Sequence, residues 1–185
     1  MEIKILKEDG YELALRGMAY SFKDRSEPVD AWFDRVKERA EKRAPLLAPK
    51  GGGHNKFLES MVVWIDVEAP RSFWSEFDTY RVGTTKQSES TMHTLSKRPP
   101  THEDFEEGTT QMTINSFILQ WQELKDDITK LKENLPEGYL QRRLVCTNYM
   151  MMRNIIKQRT NHRYRRWQKF IDEILIQVQY PEFLG

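Results

Sequence analysis

The sequence predicts a mixed α/β protein, on the basis of one strand pattern, one helix pattern and the chain length. Residues 61–68 (MVVWIDVE) alternate apolar side chains at period two, as a strand with one buried face does. Residues 113–135 repeat apolar side chains every three or four positions, which is the pattern of an amphipathic helix. A chain of 185 residues is long enough to bury one hydrophobic core, so we expect a single domain over residues 1–185.

Turn and cap signals define the N-terminal elements. A short strand is predicted at residues 3–6 and must end by Gly10. Residues 11–20 are predicted to form a helix. A second, charged helix should begin with Asp30 as its N-cap and end before Pro45, because proline disrupts a helix interior.

A short helix and a polar segment follow the predicted strand. Pro70 suits the first turn of a helix, and Phe73, Trp74 and Phe77 give that helix an apolar stripe. Residues 79–93 are rich in hydroxyl groups and too polar for a core, so they are predicted to form a loop. A buried strand that leads to such a loop is a common way to build a ligand site.

Residues 49–53 (PKGGG) have two interpretations. A glycine run before a helix start can direct backbone N–H groups at a phosphate. The Walker spacing is missing, however, and a flexible connector explains the same residues. His54 follows directly and is either an ordinary surface or core histidine or part of a site.

Residues 138–171 contain no Asp or Glu but many basic side chains, which makes the segment a candidate anion site. The basic residues are Arg142, Arg143, Arg153, Lys157, Arg159, His162, Arg163, Arg165, Arg166 and Lys169. The alternative is a solvated face that pairs in part with the acidic helix before it.

Composition argues against several classes of protein. A weaker alternative makes residues 142–169 a nucleic-acid surface, and the net charge of +1 and the lack of a recognised binding motif count against it. The single cysteine, Cys146, cannot form an internal disulfide and fits a reducing compartment. No apolar run approaches the ~20 residues of a membrane span, and the N-terminus lacks a signal-peptide core. We therefore expect a cytoplasmic protein that does not enter a membrane.

The order of motifs in residues 53–93 points to a known family. Gly53, His54 and Glu59 form a Gly-His-x-x-x-x-Glu element, and a strand and a helix follow it. Arg81 and Thr84 then stand where a signature Arg-His-Arg-x-x-Ser-x-Asn-Glu-x-Ser-x-Arg-Tyr has its second arginine and first serine. In this order the chain resembles the flavin-dependent thymidylate synthases.

Laid on that signature without a gap, Gln87 falls on the glutamate and Glu89 on the second serine. A shift of one residue instead offers Ser88 or Ser90 for that serine. The resemblance returns further along the chain, where the family has an arginine, an Asn-x-x-x-x-Arg pair and a tryptophan.

The matching residues of this later segment are Arg143, Asn154, Arg159 and Trp167. Arg143 and Asn154 are eleven residues apart, about three helical turns, so both are predicted to lie on the same face of a helix.

The resemblance implies a fold and a reaction. The fold is an α/β domain with a central sheet flanked by helices and a helical C-terminal half, and subunits share active sites in a homotetramer. The reaction transfers a one-carbon unit from methylenetetrahydrofolate to C5 of dUMP, with FAD as the cofactor and NADPH as its reductant. Both methylation and hydroxymethylation of the pyrimidine fit the resemblance.

The resemblance also implies roles for individual residues. Residues expected to bind or position the flavin are His54, Arg81 and Asn154. Residues expected to hold the nucleotide are Arg143, Glu89 and Ser90. Residues expected at the reacting base are Arg159, Gln87 and Ser88. No metal is expected. For Arg81, the alternative is a surface ion pair with Glu76 or Asp78.

Two hypotheses from different classes remain open. The first is a divergent flavoenzyme that acts on a pyrimidine deoxynucleotide. The second is a protein that keeps the fold and a nucleotide pocket but has no catalytic activity. The second arises because Thr79 and Thr91 stand where the signature has its first and last arginines, and threonine cannot form a bidentate phosphate contact.

Overall fold

The computed structural model describes all 185 residues and confirms the predicted α/β class. One antiparallel sheet has the strand order β1-β2-β4-β3. The strands are β1 (Glu2–Asp9), β2 (Val62–Pro70), β3 (Thr85–Ser88) and β4 (Leu140–Asn148). The helices are α1 (Tyr11–Ala19), α2 (Val29–Leu47), α3 (Arg71–Phe77), α4 (Thr91–Thr94), α5 (Gln111–Leu124), α6 (Ile128–Glu133), α7 (Tyr149–Arg159) and α8 (Arg166–Gln177). None of these helices has the length and apolar character needed to cross a bilayer.

Strand β2 shows the alternation that the sequence predicts. Val63, Ile65 and Val67 have no exposed surface, whereas the residues between them are half-buried. Each fully buried aliphatic side chain of this size stabilises the fold by about 1.5–3 kcal/mol. Helix α3 follows directly, and its predicted stripe of Phe73, Trp74 and Phe77 is buried, so both predictions are confirmed.

Helix α2 corrects two expectations. It continues through Pro45 to Leu47, and the Ala48 N–H still donates to the Ala44 carbonyl at 2.9 Å. Pro45 has no N–H to donate and its ring crowds the preceding turn, but Ala44 and Ala48 are both fully buried, so packing holds the last turn in place. The N-cap is Pro28, and Asp30 lies in the first turn, where it pairs with Arg16.

The long helix predicted at residues 113–135 is two helices, α5 and α6. The Asp127 side chain accepts a hydrogen bond from the Lys130 N–H at 3.2 Å and so starts α6. Both helices pack into one cluster that includes Ile114, Phe117 and Leu131. Their apolar periodicity therefore continues across the break, and only the polar segment 125–127 marks it.

The segment predicted as a polar loop contains regular structure. Residues 79–93 include strand β3, at the edge of the sheet, and the start of α4. Strand β3 is only four residues long and mostly exposed, so its sequence lacks the apolar alternation that identifies a strand.

Contacts along the chain define two compact units. The first unit consists of Met1–Ile3, Asp66–Arg81 and Lys86–Val145. The second consists of Lys4–Ile65, Val82–Thr85 and Cys146–Gly185. The core of the first unit includes the α5–α6 cluster, and that of the second includes the fully buried Trp32, Tyr149 and Trp167. That the whole chain behaves as one domain stays a prediction.

Two glycines of the second unit make a matched test of this packing. Gly10 has φ +90°, and a Cβ there would lie 2.3 Å from the Ser60 carbonyl oxygen. Gly17, in α1, has open space around it. We expect Gly10→Ala to lower the free energy of unfolding by roughly 1–3 kcal/mol and Gly17→Ala to raise it by about 0.5–1 kcal/mol. Urea unfolding measures both, and equal effects of the two variants would contradict the described turn at Gly10.

Candidate functional site

Strand β4 gives two adjacent arginines different surroundings, because successive side chains of a strand point to opposite faces. Arg142 lies on one face, where it pairs with Glu2, Asp66 and Glu68 at 2.8–3.3 Å. Arg143 points to the other face and reaches Asp78, at the end of α3. The neighbouring arginines of the sequence are therefore parts of two separate electrostatic networks.

Arg143 is held by three partners within the first unit. Its Nη1 donates to Asp78 Oδ1 at 2.9 Å, and its Nη2 donates to Gln141 Oε1 at 2.9 Å. Its guanidinium carbon lies 4.4 Å from the ring centroid of Trp74. Lys86 Nζ approaches the same Asp78 carboxylate at 3.2 Å. Arg143 and its partners Asp78, Gln141 and Trp74 border a cavity of about 310 Å³ that Arg71 and Lys132 also line.

The pKa of Asp78 reflects two opposing effects. Partial burial alone would raise the pKa of this carboxyl, but the hydrogen bonds and charges of Arg143 and Lys86 outweigh it. The pKa of Asp78 is therefore lowered, and the carboxylate stays charged at neutral pH. Arg143 is thus an arginine that already has an anionic partner.

The expectation that Arg143 and Asn154 share one helix face is wrong. Arg143 lies in β4, and Asn154 lies in α7, which begins only after Asn148. The Asn148 side chain accepts from the Met151 N–H at 2.9 Å and caps α7, so the chain changes from strand to helix between the two residues. The eleven-residue separation therefore does not place Arg143 and Asn154 on a common helix face.

Arg81 follows α3 and is exposed. Its Nε donates to the backbone carbonyl of Asp78 at 3.4 Å, whereas the Asp78 carboxylate binds Arg143 and Lys86. The ion pair with Asp78 that the sequence allowed is therefore not formed. Apart from this long hydrogen bond, the guanidinium faces solvent.

The other signature residues lie around β3 in the first unit. Gln87 and Ser88 are exposed on the edge strand itself. Ser90 is the N-cap residue of α4, and its carbonyl accepts from the His93 and Thr94 N–H groups.

Glu89 is half-buried beside a polar cavity of about 390 Å³ in the first unit. Burial raises the pKa of the Glu89 carboxyl, and the charge of Glu68 adds to this. Tyr139 lines the same cavity, where burial and the charges of Asp104 and Glu89 raise the pKa of its hydroxyl to about 12. This cavity therefore combines carboxylates with a neutral phenol donor.

His54 lines the largest of the described cavities, about 830 Å³, which lies in the second unit. The turn that carries His54 needs Gly53, whose φ is +90°, a conformation that suits glycine. Around the cavity stand the cations Arg43, Lys50 and Lys56, together with apolar side chains that include Phe22 and Phe57. The volume lies within the range of about 300–1,000 Å³ that is typical of ligand pockets.

Arg159 and Asn154 lie on α7, in the second unit. The Arg159 guanidinium stacks 4.5 Å from the ring centroid of Trp167, and its Nη1 is 3.0 Å from His162 Nε2. Asn154 is exposed, and its Oδ1 accepts from Gln158 Nε2 at 3.1 Å. The planar cation of Arg159 is thus fixed in orientation, whereas Asn154 is held only by a surface hydrogen bond.

Two groups of residues were missed by the sequence reasoning. Arg43, Lys50 and Lys56 join His54 at one cavity, although only the glycine run between them hinted at a site. Asp78 was considered only as a partner of Arg81. No sequence signal pairs it with Arg143, because 65 residues separate the two.

The fold is similar to that of solved thymidylate synthases. No protein-family profile matches the sequence, and no curated protein matches it significantly. A structure of the flavin-dependent thymidylate synthase ThyX from Helicobacter pylori, complexed with FAD and dUMP, matches with a TM-score of 0.77 and 13% sequence identity, covering 100% of this chain and 98% of that chain. A second structure, Thymidylate Synthase X (ThyX) from Helicobacter pylori with FAD and dUMP, has a TM-score of 0.74, 13% identity and full coverage of both chains. At this identity the match shows the fold, which confirms the fold that the resemblance implied.

The Asp78 network leads to a prediction about pH. A lowered pKa in the folded state stabilises the protein above the unfolded pKa, which is near 3.8, and this stabilisation is lost as the pH falls through the folded value. We expect Asp78→Asn to reduce the free energy of unfolding at pH 7 on the order of 1 kcal/mol, a modest value because the carboxylate is partly exposed. At pH 2.5 the difference between the two proteins should be smaller than at pH 7.

Urea unfolding at both pH values measures the difference. The control is Asp126→Asn, which removes an exposed carboxylate outside the ion pairs of the first unit. If Asp78→Asn lowered the free energy of unfolding by the same amount at pH 7 and pH 2.5, the contact would not be ionic in origin.

Proposed function

We propose that the protein binds FAD and a pyrimidine deoxynucleotide and transfers a one-carbon unit from methylenetetrahydrofolate to C5 of dUMP. The observation that carries the proposal is the His54 cavity, found within a fold whose solved examples contain FAD and dUMP. A fold alone does not determine a function, so the chemistry of this cavity has to support the proposal.

The residues around His54 suit a flavin dinucleotide. A pyrophosphate needs cationic donors, and Arg43, Lys50 and Lys56 offer three of them. A flavin ring needs apolar and aromatic contacts, which Phe22 and Phe57 supply. When bound, a flavin supplies hydride transfer, with NADPH as the reductant in this proposal. The chain's own residues bind the cofactor, orient it and exclude water from it.

Arg159 is the residue that we assign to the pyrimidine base. Its orientation is fixed by Trp167, and a planar donor stabilises negative charge that develops on a carbonyl oxygen of the ring. Arg143, Glu89 and Ser90 are assigned to the rest of the nucleotide, and Gln87 with Ser88 to the reacting edge. A nucleotide phosphate at Arg143 has to share that arginine with Asp78.

Arg81 and Asn154 complete the proposed flavin contacts. Both are exposed in a single chain. The resemblance implies that each site draws on more than one subunit, so we propose a homotetramer in the cytoplasm whose partner chains cover these residues. Light scattering tests the assembly directly.

A second candidate function is nucleotide binding without catalysis. Two observations favour it. Thr79 Oγ1 donates to the Glu76 carbonyl, and Thr91 is buried at the start of α4, so neither position offers a cation. Arg143 is already neutralised by Asp78. A protein with these features retains a pocket while it lacks part of the phosphate-holding charge.

The test of ligand binding uses Arg81→Lys, which keeps the charge and removes the planar donor pair. We expect wild-type protein to bind FAD and dUMP, measured by flavin fluorescence and calorimetry. Arg81→Lys should bind FAD at least about tenfold more weakly, equivalent to ~1.4 kcal/mol. The matched control, Arg25→Lys, changes another exposed arginine and should leave the affinity unchanged. If wild-type protein binds neither ligand, the proposal is wrong.

Turnover separates the two candidate functions. Protein that binds FAD and dUMP is incubated with NADPH and methylenetetrahydrofolate, and the C5-modified nucleotide is identified by mass spectrometry. Product formation supports the enzyme and distinguishes methylation from hydroxymethylation. Tight binding of both ligands without product favours the binding protein.

A further inference from the structure

The turn between α7 and α8 carries cations that the fold does not neutralise. Lys157, Arg163, Arg165 and Lys169 are all exposed, and none of them takes part in an ion pair. We call residues 157–169 the basic turn. Nine Lys and Arg residues and no carboxylate lie within residues 138–171, so the rest of the chain is net acidic although the total charge is only +1. The total charge therefore conceals a strong local concentration of positive charge.

The basic turn is an ordered support for these cations. Asn161 has φ +63°, which reverses the chain after α7. His162 Nδ1 accepts from the Tyr164 N–H at 3.2 Å, and the Arg159 guanidinium lies over the fully buried Trp167. The exposed cations thus project from a turn that is anchored at both ends.

The position of these cations is electrostatically unfavourable for the isolated chain. The N-terminus of a helix carries partial positive charge and favours acidic residues. Helix α8 has none in its first turn and instead begins at Arg165 and Arg166, followed by Lys169. The next carboxylate, Asp172, accepts from Gln168. Arg165 and Lys169 are exposed and have no ion-pair partner, so the local rule is broken at these two cations, and a bound polyanion would relieve the repulsion.

We propose that the basic turn binds the phosphate backbone of double-stranded nucleic acid, in addition to the proposed reaction and independently of it. Separate exposed cations attract one mononucleotide only weakly. They act together on phosphates spaced along a backbone, where each contact releases a counterion. Single-stranded binders add exposed aromatic side chains for base stacking. In the basic turn Trp167 is fully buried and Tyr164 is half-buried. The turn therefore presents cations that can contact phosphates but no fully exposed aromatic ring for base stacking.

The test measures anisotropy of a fluorescent 20-base-pair duplex of arbitrary sequence at 50 and 200 mM salt. Four phosphate contacts predict that wild-type affinity falls about a hundredfold between these concentrations. The variant Arg163→Gln/Arg165→Gln/Lys169→Gln should bind at least about tenfold more weakly at 50 mM salt. For this variant, the slope of log affinity against log salt concentration should be smaller in magnitude by about 3.

The matched control is Lys4→Gln/Arg25→Gln/Lys125→Gln, which removes the same charge from exposed positions elsewhere. It should retain wild-type duplex affinity. The basic-turn variant should melt no lower than wild type, because it loses repulsion only, and its FAD affinity should not change. If the protein does not bind the duplex, the proposed binding of FAD and dUMP is therefore unaffected.

Three results would overturn the inference. They are no duplex binding by wild-type protein at 50 mM salt, equal losses in the variant and the control, and tighter binding of a single strand of the same length. The wild-type measurement decides the question even if the triple variant does not fold.

Discussion

The alternation of side chains along the central strands is the constraint on which the rest of the structure depends. Strand β2 lies between β1 and β4 in the sheet, and its alternate residues Val63, Ile65 and Val67 are fully buried. The same two-residue period in β4 separates Arg142 from Arg143. One arginine joins a network of surface carboxylates, and the other reaches Asp78 over Trp74. A shift of register by one residue would exchange the two roles.

This constraint decides which cations are available for a ligand. Arg143 has Asp78 as its partner, and Lys86 donates to the carbonyls of Phe77 and Tyr80 as well as approaching Asp78. The first unit thus uses these two cations in its own packing. In the second unit, Lys50 and Lys56 stand beside His54 at a large cavity. If the protein binds a dinucleotide phosphate, the lysines near the glycine run are better placed to contact it than the residues that align with the family signature.

The fold could be predicted from the sequence where one short-range pattern dominates. Strand β2 and helix α3 have clear apolar periods, and both were predicted correctly. The break between α5 and α6 was missed because both helices face one cluster, so the period continues across it. The family resemblance placed Arg143 on a helix, and the residues of β4 alternate too weakly to indicate a strand instead. Only Val145 and Thr147 of that strand are buried.

The candidate site was harder to predict, because its contacts join residues that are distant in sequence. Asp78 and Arg143 meet across 65 residues, and no local pattern pairs them. His54 was singled out by a motif, but the cations that accompany it at the cavity come from α2 and from residues just before and just after the glycine run. Residue-level expectations for Gln87, Ser88 and Asn154 remain predictions, since these side chains are exposed and their neighbours do not define a role.

We propose that the His54 cavity holds the flavin. A crystal structure of the protein grown with FAD and dUMP tests it most directly. We expect a flavin inside this cavity, with its phosphates contacted by Lys50 or Lys56. FAD ordered at another surface, or no flavin at saturating concentration, would contradict it.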